Sequence, residues 1–204
     1  MEDRIYIGTH NSMTYLRPAK WWARRFNIFA RCQCEDITEQ YKAGMRCFDI
    51  RIYWDWRQNN WCFAHGLVRY HFNDERDRRP LEYVLDTLRK LHEKHDGKLF
   101  IRLILEKTKD EKIETRKFDE YCGEIENKYK EFTFIGGFRK KDWERVHIFP
   151  AEDETPTHQF VGSMMDDARF YEKIMPITYA ERMNSKNLIR VGNGVNLFDF
   201  IKNR

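Results

Sequence analysis

Along "MRCFDIRIYWD", apolar and polar side chains alternate: Phe48, Ile50 and Ile52 fall on one face, and Cys47, Asp49, Arg51 and Tyr53 on the other. A period of two is that of a half-buried strand. The segment is therefore expected to be a strand that carries a carboxylate and a guanidinium side by side on one surface. A longer period governs "RPLEYVLDTLRKLHEKHDGK", where Leu81, Val84, Leu85, Leu88 and Leu91 recur every three or four residues behind Pro80 and ahead of Gly97. This spacing predicts a helix with one apolar stripe, started by the proline and stopped by the glycine. "LFIRLILE" follows as an almost unbroken apolar run, the mark of a parallel strand covered on both sides, and ends on the charged Glu106.

The remaining elements follow from weaker signals. Residues 4–9 read as a first strand. Pro18 suits the start of a helix through "YLRPAKWWARRFNIFARCQ". A shorter helix in "EDITEQYKAG" has Asp36 as its N-cap and Gly44 as its stop. "WCFAHG", at 61–66, is a short strand too close to the preceding one for a helical crossover, so a hairpin or irregular return joins the two. The second half reads as a helix near 112–130, strands near 132–136, 145–149 and 158–163, a helix near 168–184 and a last strand near 195–201. Alternating strands and helices predict an α/β fold. No repeat or linker divides residues 1–204, so a single domain is expected. Closed into a TIM-type barrel, 204 residues is the bottom of the usual range for eight strand-helix units. The expectation is a compact, distorted (β/α) barrel with shortened or missing helices.

Composition narrows the partners. The 37 basic and 33 acidic residues leave a formal charge of +4 with no sustained basic face, so nucleic acid is not an expected ligand. The five cysteines are odd in number, which suits free thiols in a reducing compartment, and the C-x-C of Cys32 and Cys34 lacks the second pair of a zinc site. "MEDRIYIGTHNSM" has no apolar core of a signal peptide, and no apolar run reaches membrane-spanning length. As numbered, a soluble cytoplasmic protein is expected, or a secreted one if a leader was removed. "KWWARRFNIFAR" interleaves Trp21 and Trp22 with Lys20, Arg24 and Arg25. Its aromatics either pack against the sheet or make peripheral contact with an anionic membrane surface.

Three polar groups stand at expected strand ends: His10 with Asn11, Asp49 with Arg51, and His65 with Gly66. Singly they read as a turn histidine, an ion pair and a strand terminator. Together they form a plausible site, because α/β folds gather reactive groups from several strand termini. In-line phosphoryl transfer needs a base for the attacking hydroxyl, an acid for the leaving oxygen and a cation beside the non-bridging oxygens. His10, His65 and Arg51 supply that set. Asp199, in "VNLFDFI", would orient the base if the last strand lies beside the first.

"GTHNSMTY", "ITEQYKAGMRCFDIRIYWD" and "FAHG", in that order and with "LFIRLILE" behind them, resemble the X-domain of phosphatidylinositol-specific phospholipase C and its bacterial relatives over about the first half of the chain. The resemblance implies a distorted TIM barrel that acts on phosphatidylinositol or a related phosphodiester. The inositol 2-hydroxyl attacks phosphorus, diacylglycerol leaves and a cyclic inositol phosphate remains. It implies His10 as general base, His65 as general acid, and Arg51 where metal-independent bacterial members keep an arginine in place of calcium. Two positions depart from the bacterial pattern. Asn11 replaces the aspartate that commonly follows the first histidine there, and Asn11 and Glu106 both match the calcium-binding eukaryotic type. Asn11, Asp49 and Glu106 are hard oxygen donors that suit Ca²⁺, but Arg51 on the face of Asp49 opposes a second cation. The arginine mechanism without a cofactor is therefore expected, with Asn11 and Glu106 as substrate-binding groups, and calcium is the alternative. Two other readings compete: a non-catalytic lipid- or partner-binding module on the same fold, and a glycerophosphodiester phosphodiesterase, whose first histidine precedes Arg-Gly rather than Asn-Ser.

Overall fold

The computed structural model describes residues 5–72, 79–106, 110–138, 157–161, 182 and 194–199. In chain order the elements are β1 (Ile5–Thr9), α1 (Trp21–Ala30), α2 (Ile37–Lys42), β2 (Cys47–Asp55), β3 (Asn60–His65) and β4 (Val68–Arg69). They continue with α3 (Pro80–His92), β5 (Phe100–Leu105), α4 (Glu111–Lys128), β6 (Thr133–Phe138), β7 (Thr157–Val161) and β8 (Gly194–Phe198). The strand expected near 145–149 and, apart from Arg182, the helix expected near 168–184 lie outside the described residues.

The expected α/β class is the one observed. Parallel strands run in the order β7-β8-β1-β2-β5-β6. Strand β2 is the spine of this sheet. Along one edge it pairs with β5 from Cys47 to Ile52, and on the other it meets β1 at Cys47 and Phe48. From Ile52 to Asp55 it pairs antiparallel with β3, so a hairpin links the two strands. Among the described residues β6 and β7 do not pair, and the sheet is open rather than a closed barrel.

The period-two pattern of β2 sorts its two faces. Phe48, Ile50 and Ile52 belong to one core with Leu81, Val84, Leu85 and Leu88 of α3 and with Phe118 and Ile125 of α4. Full burial of each such side chain is worth about 1.5–3 kcal/mol, and the stripe of α3 is what fastens it to the sheet. On the opposite face Cys47 joins Phe100 and Leu197 in a smaller apolar layer, and Asp49 and Arg51 follow along the same face.

Two punctuation signals act differently from expectation. Pro18 does not open α1, which begins at Trp21. It forms an extended bridge to Tyr70, flanked by Ala19 N–H to Arg69 C=O at 2.8 Å and His71 N–H to Arg17 C=O at 2.8 Å. The fixed φ of proline suits extended chain as well as a helical first turn, and the pairing partner decides. Gly97, with φ +141°, turns the chain toward β5, five residues after α3 has already ended at His92. Asp36 does cap α2, accepting from Thr38 N–H and Glu39 N–H, and Gly44 follows that helix at φ +91°. Trp21 is 75% and Trp22 40% exposed, so neither belongs to the buried core. Among the described residues no helix is long and apolar enough to cross a membrane.

Gly8 is where β1, β2 and β8 crowd together. A Cβ there would lie 2.5 Å from Cys47 O and 2.9 Å from Leu197 Cδ2. Because two of the three neighbours are strand backbone or its Cβ, they cannot swing aside. Gly8→Ala is expected to cost about 1–3 kcal/mol by overpacking, read as a lower urea midpoint at unchanged m-value. An unchanged midpoint would show that the strands separate freely at this point.

Candidate active site

Sequence-distant residues meet where the C-terminal ends of β1 and β8 come beside the first half of β2. Strand β8 pairs with β1 in register Thr9 to Phe198, so the next residues, His10 and Asp199, stand side by side. Gln33 holds this junction by donating from Nε2 to His10 C=O at 2.9 Å and to Phe198 C=O at 2.7 Å. Thr14 Oγ1 accepts from Cys32 N–H and Gln33 N–H, both at 2.9 Å, and donates to Asn11 C=O. The turn after β1 is thereby stapled to the segment that follows α1. Asn11 itself has φ +48°, a left-handed conformation that asparagine tolerates better than most residues.

The His10 ring is held from both sides. Its Nδ1 lies 2.7 Å from Asp199 Oδ1, and its Nε2 lies 2.8 Å from both Arg51 NH2 and Asn11 Nδ2. A guanidinium can only donate, so Nε2 must present its lone pair and the ring proton sits on Nδ1, given to Asp199. That is the tautomer a base acting through Nε2 requires. His65 lies across the site, its ring centroid 6.0 Å from that of His10 and nearly perpendicular to it. Nδ1–H of His65 donates to Ala30 C=O at 2.6 Å, which leaves its Nε2 as the working end. Burial first, and the Arg51 charge second, push this imidazole down to about 4.

Beneath the histidines lies a buried ionic network. Asp49 Oδ2 accepts from Arg51 Nε at 3.2 Å, Arg51 NH2 at 3.0 Å and Asn11 N–H at 3.1 Å, and Asp49 Oδ1 accepts from Arg102 NH1 at 2.6 Å. Arg51 NH1 also donates to Glu106 Oε1 at 3.3 Å. Burial alone would raise the Asp49 carboxyl, but Arg51 and Arg102 outweigh it and hold Asp49 well below the usual carboxylate range. Burial would likewise lower Arg51, and Asp49 and Glu106 reverse that too. Of the three oxygen donors that the sequence offers to calcium, Asp49 and Glu106 are thus both engaged by one guanidinium.

All seven residues singled out by sequence lie at this place: His10, Asn11, Asp49, Arg51, His65, Glu106 and Asp199. Three more belong to it. Arg102 is signalled by its position as the one charge inside the apolar strand "LFIRLIL", since a buried guanidinium needs a buried partner, and the register pairs it with Asp49. Gln33 and Cys32 lie in a loop and carry no periodic signal. Cys32 Sγ accepts from Asn11 Nδ2 at 3.4 Å and lies 3.9 Å from His65 Nδ1. Burial, and then the nearby Asp199 charge, keep its thiol protonated far above the ordinary range.

The architecture has a counterpart of known structure. The chain superimposes on a phosphatidylinositol-specific phospholipase C from Listeria monocytogenes with a TM-score of 0.59, over 97% of this chain and 88% of that one, at 15% sequence identity. The likeness is one of fold. No protein-family model matches the chain, and no curated protein sequence matches it.

Proposed function

We propose that this protein is a metal-independent phosphodiesterase of the phospholipase C type, acting on phosphatidylinositol or a related phosphodiester. The observation that carries the reading is the orientation of His10: Nδ1–H on Asp199, Nε2 facing Arg51, and the His65 ring 6.0 Å away. A phosphodiester between the rings draws Arg51 onto its non-bridging oxygens and frees Nε2 for the attacking hydroxyl. Nε2 takes the hydroxyl proton as the oxygen attacks phosphorus. The bond to the leaving oxygen breaks, and a proton from His65 Nε2 completes the alcohol. With the inositol 2-hydroxyl as nucleophile, the products are diacylglycerol and a cyclic inositol phosphate.

Asp199 positions the base, and Asp49 and Glu106 hold Arg51 on both flanks. Asn11 Nδ2 lies on His10 Nε2 and Glu106 Oε1 on Arg51 NH1, so both adjoin the groups that hold the phosphate in this reading. A calcium ion on Asn11, Asp49 and Glu106 would have to share that space with the guanidinium, a like-charge cost that Arg51 avoids by supplying the positive charge itself. In this reading the parallel sheet is part of a distorted barrel, and the exposed Trp21 and Trp22 meet the lipid surface at the rim.

The acid step makes this site unusual in its pH response. Asn11 brings no negative charge to His65, and burial with Arg51 keeps that imidazole at about 4 in the empty site, below the ordinary 6.5. The profile of kcat/KM reports ionisations of the free enzyme, and His65 acts in its protonated form. Protonated His65 therefore becomes scarcer as pH rises above about 4, and the limb of the kcat/KM profile that His65 controls is expected well below the ordinary 6.5. A profile with no limb below the ordinary histidine value would remove His65 as the acid.

A further inference from the structure

Cys32 has no part in the acid-base scheme, yet its thiol lies among the groups that carry it out. One ligand atom each from His10, Cys32 and Asp199 falls within 4.8 Å of the other two, and all three residues are buried. Imidazole, thiolate and carboxylate are the side-chain donors that zinc takes, usually in a tetrahedron closed by a fourth ligand or water. A sulfur donor selects against calcium and magnesium, which want hard oxygen ligands. A second observation involves Asn11. Its Oδ1 is buried and has no hydrogen-bond partner among the described residues, while its Nδ2 lies against both His10 Nε2 and Cys32 Sγ.

We propose that His10, Cys32 and Asp199 form a binding site for one borderline divalent cation of the Zn²⁺ type, and that occupancy shuts the site down. The ion's two charges are met by the Cys32 thiolate and the Asp199 carboxylate. The thiol proton leaves to solvent. His10 stays neutral, its proton moving from Nδ1 to Nε2 as Nδ1 turns to the metal. The Asn11 amide rotates so that its unpartnered Oδ1 accepts the new Nε2–H, and Arg51 keeps Asp49 and Glu106 as its partners. His65 Nδ1 lies 3.9 Å from Sγ and keeps its bond to Ala30 C=O. An Nε2 that carries a proton cannot take another from a substrate hydroxyl, which is the sense in which the metal inhibits. The inhibition, unlike the binding, rests on the function proposed above.

Co²⁺ tests the binding without any substrate, because tetrahedral Co²⁺ absorbs in the visible and thiolate ligation adds a charge-transfer band in the near ultraviolet. Chelator-stripped protein is expected to bind one Co²⁺ per chain with that band, to release a proton, and to lose the colour when Zn²⁺ is added. Cys34→Ser, a change at the exposed neighbouring thiol, should leave the spectrum as it is. Cys32→Ser should remove the thiolate band and weaken binding by at least about tenfold. Cys32→Ala repeats the test should the serine variant not fold. Absence of saturable Co²⁺ binding, or a thiolate band that survives loss of Cys32, would overturn the proposal whatever the chain turns out to cleave.

Discussion

His10→Ala is expected to lower kcat/KM for phosphatidylinositol by between about 10²- and 10⁴-fold, the usual contribution of a positioned base. The effect follows from the site's wiring. Nε2 of His10 lies on Arg51 NH2, and Asp199 on Nδ1 keeps the ring's lone pair at Nε2. The variant should still fold, because the core that fastens α3 and α4 to the sheet does not include His10. Initial rates on vesicles, set beside the circular dichroism spectrum, separate lost chemistry from lost structure. A folded His10→Ala protein with wild-type turnover would take this residue out of the mechanism.

The largest expected effect on stability belongs to Asp49→Ala. Asp49 receives hydrogen bonds from two guanidinium groups and the Asn11 amide, and both Arg51 and Arg102 are buried. Removing the carboxylate takes an acceptor from each of two buried guanidinium groups, and of the Arg51 ion pairs with Asp49 and Glu106 only the second remains. Breaking a buried pair in this way costs about 3–5 kcal/mol, which for a chain of this size lowers the melting temperature by about 6–20 °C. The sign with pH follows from the depressed carboxyl. Its contribution is fully present above the ordinary carboxylate range and is lost as pH falls below it, so the gap between wild type and variant should close in acid. Equal melting temperatures at neutral pH would mean that water already shields the network.

Much of this site is legible in residue order. The alternation in β2 puts Asp49 and Arg51 on one face before any partner is known, and the cap at Asp36 and the stripe of α3 are local signals that the packing reinforces. Arg102 announces itself by violating an apolar run. The bond between His10 and Asp199 spans 189 positions and depends on β8 lying beside β1, a choice that no local period encodes. Cys32 and Gln33 owe their places to Thr14 and to the end of β8, contacts made by a loop with no repeat to read. Strand β4, two residues long, is too short to show a period, yet its neighbourhood pulls Pro18 out of the helix it would otherwise begin.

Cleavage of phosphatidylinositol vesicles in EDTA, with phosphatidylcholine vesicles as the control lipid and His10→Ala beside the wild type, tests the assignment of Arg51 and the two histidines most directly. The expected result is release of diacylglycerol from phosphatidylinositol alone, undiminished by chelator and lost in the variant. Cleavage that appears only when Ca²⁺ is restored would contradict the role given to Arg51, and no histidine-dependent cleavage in either buffer would contradict the enzyme itself.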